Sequence, residues 1–229
     1  MLHANGLACN MTKVWIYGDS FSSADYNSHV GPSWVDLLEN DYVIKNQSHT
    51  GVGPLTLLDK LAEDVYVMSG NTANDILIFI IPNTARQHFA FTTKPLEEHL
   101  FYHHLDDYKK SPYGNFLKEF YYYYMTDHKI EQMFIQHLLS VKQLSSHFKK
   151  SIIIHTDELD PEKRNFFSDS LLNLYKICIE ENVWSPDDGF DFRRNHLSEL
   201  NHHIMYKQIV DFIEKDTPIN ADMFLQNLK

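Results

Sequence analysis

Long apolar runs are missing from this 229-residue chain. No stretch approaches the roughly 18 uninterrupted apolar residues that a bilayer-crossing helix requires, which excludes a spanning helix of that kind. Cysteine is scarce. Cys9 lies in the amino-terminal leader and Cys178 in a helical pattern, so no disulfide framework is expected and a reducing compartment fits. Basic charge is also in deficit, with 20 Lys and Arg against 31 Asp and Glu, for a net charge of −11. Phosphate recognition needs a basic face, so nucleic acid is not expected as the main partner. No basic amphipathic helix argues for a membrane surface. The first ten residues, MLHANGLACN, lack a basic segment followed by an apolar one, so they do not read as a secretory signal. They read as a disordered leader or tag, with residues 11–229 as a single domain and a cytoplasmic location expected.

Several motifs are missing too. Gly18-Asp19-Ser20-Phe21-Ser22 lacks the final Gly of a GxSxG elbow. Gly51-Val52-Gly53 is followed by Thr56 where a dinucleotide fingerprint needs its third Gly. The 14 histidines include His99 and His103 four apart, His103-His104 ahead of Asp106-Asp107, and the pair His202-His203. None stands in an HExxH frame, so neither a catalytic metal nor a cofactor is expected.

What the chain does contain is an alternation of short apolar runs and amphipathic stretches. Lys13–Tyr17, Tyr42–Lys45, Asp75–Ile81 and Ser151–His155 read as strands. The last two are apolar and β-branched at nearly every position, as in strands of a parallel sheet covered on both faces. Helical periodicity marks Ser33–Glu39, Leu55–Met68, Lys129–Phe148, Arg164–Glu181 and Leu200–Glu214. The pattern predicts a doubly wound α/β fold, whose sites lie beyond the carboxyl ends of the strands. GDSFSS, NQSHTGVGP and PNTARQHF follow the first three strands and would share one sheet edge. Residues 86–128, rich in Tyr, Phe and His, break the alternation. They predict an insertion over that edge, serving as a lid or as a contact between copies in a homo-oligomer. Tyr121–Tyr124 could form a stacking wall for substrate, although such clusters more commonly belong to a core or an interface.

Ser20 stands directly after the first strand. A serine hydroxyl attacks only when a base takes its proton and donors hold the oxyanion. A residue at a strand end can meet both needs, its own N–H included. Gly-Asp-Ser alone is also a common turn sequence. Far along the chain, in DDGFDFRRNHLSELNHHIMYKQIVDFI, His196 precedes a helix that Ser198 could cap. A general base placed there can return to Ser20 through the fold.

With these residues the chain resembles the SGNH, or GDSL-type, hydrolases, a superfamily of esterases with a three-layer α/β/α sandwich around a mostly parallel sheet. Gly18-Asp19-Ser20-Phe21-Ser22 matches its first block, whose serine is the nucleophile. Asn46 followed by Gly51 matches the second, whose Gly contributes to the oxyanion hole. Asn83, after the apolar strand, partly matches the third, whose Asn amide completes the hole; Pro82 and Thr84 replace the usual Gly and Asp. His196-Leu197-Ser198 with Asn201-His202 matches the second half of the last block. There the family has an Asp three residues before the His, and this chain has Arg193. The resemblance therefore leaves open what orients His196: Asp191 first, Asp188 or Asp187, or a backbone carbonyl in a Ser–His dyad.

The resemblance implies an acyl-enzyme esterase. Ser20 attacks the ester carbonyl and His196 accepts its proton. The N–H groups of Ser20 and Gly51 and the amide of Asn83 hold the oxyanion, and water then releases the acyl group. Arg86 could hold an anionic part of the substrate or pair with a surface acid. The family acts on lipids, thioesters and acetylated sugars and glycans, and the aromatic insertion suits an O-acetyl carbohydrate. A decayed member serving as a binding or structural module is the alternative, favoured by Arg193.

Overall fold

The computed structural model describes residues 12–22, 32–67, 72–82, 84, 87–88, 99–100, 114–155, 171–173, 183–185, 190–192, 197 and 199–224. Among the described residues the central sheet has five strands. They are β1 (Lys13–Tyr17), β2 (Val43–Asn46), β3 (Ile76–Ile81), β6 (Lys150–His155) and β7 (Leu171–Asn173). Their spatial order is β2-β1-β3-β6-β7, and every pairing is parallel. The four strand readings hold to within a residue or so. β7 is a correction, because it lies inside the helix expected over Arg164–Glu181. Leu171 pairs with Ile153 and Leu172 with Ile154, and tertiary pairing of so short a segment overrides its helical pattern.

Parallel strands need crossovers, and helices supply them. Helix α1 (Trp34–Leu38) follows β1, and α2 (Pro54–Val67) follows β2. Helix α3 (Gly114–Glu119) runs into a π-helical turn, Phe120–Tyr124, and α4 (Asp127–Ser145) leads into β6. Helix α5 (Glu199–Lys215) lies near the carboxyl end. Two small ladders, β4 (Gln87–His88) with β5 (His99–Leu100) and β8 (Val183–Ser185) with β9 (Phe190–Phe192), and a 3-10 turn, Ala221–Met223, complete the described structure.

Side chains alternate along each strand, so the sheet feeds two cores. Val14, Ile16, Ile76, Ile78, Ile80, Ile152 and Ile154 pack with Trp34, Val35 and Leu38 of α1 and Met205 and Ile209 of α5. Trp15, Tyr17, Leu77, Phe79, Ile81 and Ile153 pack with Leu57 and Leu61 of α2 and Phe134, Leu138 and Val141 of α4. The result is three layers, α/β/α, as the sequence pattern predicts. All six residues of β3 are buried, which explains its unbroken apolar sequence.

The order β2-β1-β3 places the reversal of winding at the carboxyl ends of β1 and β3. In open α/β sheets this is where a crevice for ligands forms. The segments after β1, β2 and β3 emerge there.

Candidate active site

β1 ends at Tyr17, and the chain must turn sharply beside β3. Gly18 is required at that point. A Cβ there would lie 2.3 Å from Ser22 Oγ and 3.0 Å from Ile80 Cβ, so only glycine lets the turn approach the sheet this closely. In the turn, Ser22 N–H donates to the Asp19 carbonyl at 3.1 Å. Asp19 Oδ1 accepts from Phe21 N–H at 3.3 Å, so Asp19 holds the turn through its side chain, as expected of a turn-former. Asp19 and Ser22 are fully buried, and Ser20 between them retains 8% exposure.

The segment after β2 is tied to this turn. Gln47 N–H donates to the Ile16 carbonyl at 2.7 Å, and His49 N–H to the Gly18 carbonyl at 3.0 Å. Asn46 Nδ2 donates to the Ser22 carbonyl at 2.7 Å, while Asn46 Oδ1 accepts from Ser48 N–H at 3.0 Å. The hydroxyls of Ser22 and Ser48 are 2.8 Å apart. Val52 N–H closes the loop onto the His49 carbonyl at 3.3 Å. Gly51 then adopts φ 76°, a left-handed conformation that favours glycine. The loop carrying Gly51 is thus brought against the turn carrying Ser20.

A third contact reaches the carboxyl-terminal helix. Trp34 Nε1 donates to the Phe21 carbonyl at 2.9 Å. Trp34 N–H, the first of α1, donates to His202 Nδ1 at 3.3 Å, filling one of the donors a helix start leaves open. His202 is buried, and its Nδ1 acts as the acceptor of this bond. Among the described residues, no group of three or more His, Cys, Asp or Glu could hold a metal. Leu197 and Phe21 belong to the same buried cluster.

Of the expected site residues, Ser20 and Gly51 are described, and they lie on two segments that hydrogen bonds tie together at the switch point. Asn83, Arg86, Arg193, His196, Ser198, Asp187 and Asp188 lie outside the described residues. Asp191 has a described backbone in β9, its Cα paired with that of Trp184; its side chain is outside the description. The expected loop therefore contains a short antiparallel hairpin. Ser22 and Ser48 were not among the expected functional residues. Their signal was the second Ser of GDSFS and a Ser two residues after Asn46.

In the aromatic stretch that leads into α4, Phe116 stacks on Phe120 and Phe120 on Tyr124, with ring centroids 6.2 and 5.0 Å apart. Tyr122, Tyr123 and Tyr124 are exposed, so these described members of the tyrosine run are surface residues.

No family model matches the chain, and no curated protein matches it either. Solved structures do align with it. Against the psychrotrophic esterase EstA from a Pseudoalteromonas species, whose structure was determined inhibited by monoethylphosphonate, identity is 14% and the TM-score 0.43, over 89% of this chain and 97% of that one. A putative lipolytic protein of the G-D-S-L family from Desulfitobacterium hafniense DCB-2 aligns at 13% identity and TM-score 0.43, over 86% and 96%. The lipase/acylhydrolase from Enterococcus faecalis aligns at 14% identity and TM-score 0.43, over 92% and 100%.

Proposed function

We propose that the chain is a serine esterase of the SGNH, or GDSL, type that hydrolyses a carboxylic ester through an acyl-enzyme on Ser20. One observation carries this reading. Ser20 lies inside the Asp19–Ser22 turn after β1, at the switch point of a parallel sheet, and that turn is bonded to a loop in which Gly51 adopts a positive φ. An oxyanion hole built from two backbone N–H groups needs two such segments side by side, which supports the reading.

In the proposed reaction His196 takes the Ser20 proton as Ser20 Oγ bonds to the carbonyl carbon. The oxyanion is held by the N–H groups of Ser20 and Gly51 and by the Asn83 amide. His196 returns the proton to the leaving alcohol. Water, deprotonated by the same base, releases the carboxylic acid and restores Ser20. Support for His196 as the base comes from its neighbour: Leu197 is buried in the same apolar cluster as Phe21, the residue after Ser20. Asp191 is the acid proposed to orient His196. For the substrate, the exposed aromatic stretch beside Tyr124 suits an uncharged acyl ester of a sugar, because sugar rings stack on aromatic faces. The same exposed face could serve as a contact between copies.

The test is a panel of acetyl, butyryl and octanoyl aryl esters with wild type and Ser20→Ala. Turnover by wild type, best for the short acyl chains, and its loss in Ser20→Ala is the expected result. Activity surviving in Ser20→Ala would sink the serine mechanism. A folded wild type inert on every ester would favour the binding-module reading.

A further inference from the structure

We infer that Ser22 and Ser48 are positioning residues that hold the Ser20 N–H in its donating direction, an inference that rests on the esterase reading. The peptide unit joining Asp19 to Ser20 is planar, so the direction of the Asp19 carbonyl fixes that of the Ser20 N–H. Ser22 grips this carbonyl twice, through its N–H at 3.1 Å and its hydroxyl at 3.4 Å. A hydroxyl has one proton. If Ser22 Oγ–H points to the Asp19 carbonyl, the 2.8 Å contact with Ser48 must be a donation from Ser48 Oγ–H to Ser22 Oγ. With the Ser22 proton on the Asp19 carbonyl, the chain of donors runs Ser48, Ser22, Asp19 carbonyl.

Ser48 has its own backbone N–H held by Asn46 Oδ1, and Asn46 Nδ2 grips the Ser22 carbonyl. The three side chains close a ring between the two loops that carry the proposed donors, Ser20 and Gly51. The space for the Ser22 hydroxyl exists only because residue 18 has no Cβ. Gly18 and Ser22 thus form one device, and the second serine of GDSFS is the latch of the turn. Ser22 is buried and Asn46 and Ser48 partly so, and their mutual hydrogen bonds favour one geometry of the two loops.

The latch acts on a hydrogen bond that matters most when charge develops on the carbonyl oxygen. Loosening it should lower kcat and leave KM and the melting temperature nearly unchanged. Misplacement of this size costs between about 10- and 100-fold in rate.

The experiment measures kcat, KM and thermal unfolding on an acetyl aryl ester for wild type, Ser22→Ala, Ser48→Ala, the double variant and Ser48→Thr. Ser48 is only partly buried, so threonine can keep the hydroxyl there. Expected are equal kcat losses in both single variants, no further loss in the double, and recovery in Ser48→Thr. An active wild type with unchanged kcat in the alanine variants would overturn the latch alone. So would losses that multiply in the double variant, or a fall in kcat matched by a fall in melting temperature. A wild type without turnover would instead remove the esterase reading and this inference with it.

Discussion

At the scale of single residues, the turn after β1 is packed so closely that small changes should have large effects. Gly18→Ala forces a methyl group against the Ser22 hydroxyl and Ile80. It should destabilise the protein by about 1–3 kcal/mol, the usual range for overpacking, and lower activity with it. Urea unfolding monitored by tryptophan fluorescence would measure the loss. Gly51→Ala, at φ 76°, should cost about 1 kcal/mol of stability but much more in activity, since the strain falls in the loop that holds the proposed donor. Part of this was legible beforehand: Gly18, Asp19 and Ser20 declared a turn at a strand end, and the glycine of the second loop marked a place where the chain could take a positive φ. Ser22 and Ser48 were not, because a hydrogen bond between two hydroxyls distant in sequence leaves no periodic trace.

At the scale of elements, two helices show how polar groups are handled at their ends and buried faces. Helix α5 ends with open carbonyls, and Lys150 at the start of β6 fills them. Its Nζ donates to the carbonyls of Phe212 at 3.2 Å and Ile213 at 2.7 Å, and pairs with Asp216 at 2.6 Å. Asp216 is 77% exposed, so the ion pair adds little and the carbonyl contacts dominate. Lys150→Met should therefore cost about 1–2 kcal/mol in urea unfolding, and Asp216→Asn much less.

Helix α4 buries His137, whose Nδ1 has no hydrogen-bond partner among the described residues. Burial lowers its pKa below the ordinary 6.5. The unfolded chain therefore binds the proton first, and stability is lost as pH falls from 6.5 toward the lowered native value. Replacing His137 with Leu should flatten the fall in melting temperature between about pH 7 and pH 5. Element types were readable where periodicity was long, as in α2, α4 and α5. β7 was not, since three residues in a strand carry too little pattern to outweigh the helical spacing around them.

At the scale of the whole molecule, strand alternation delivers two separate cores, one on each face of the sheet. The fold class followed from this pattern because apolar β-branched runs separated by amphipathic helices can bury both sheet faces in few other ways. The order of the strands did not follow from it. That order brings the Ser20 turn and the Gly51 loop together, and long-range pairing between β1, β2 and β3 sets it. Net charge acts at this scale too. With −11 overall, an anionic ester should approach more slowly than a neutral one. Raising the salt concentration should increase kcat/KM for the anionic ester and leave the neutral one unchanged. Stopped-flow or steady-state assays on a matched pair would show it. The central claim, that Ser20 is a nucleophile, is tested most directly by exposing the folded protein to a fluorophosphonate and mapping the adduct by peptide mass spectrometry. A single adduct on Ser20, lost on prior heat unfolding, is the predicted result; a folded protein that stays unlabelled, or is labelled at another serine, would contradict it.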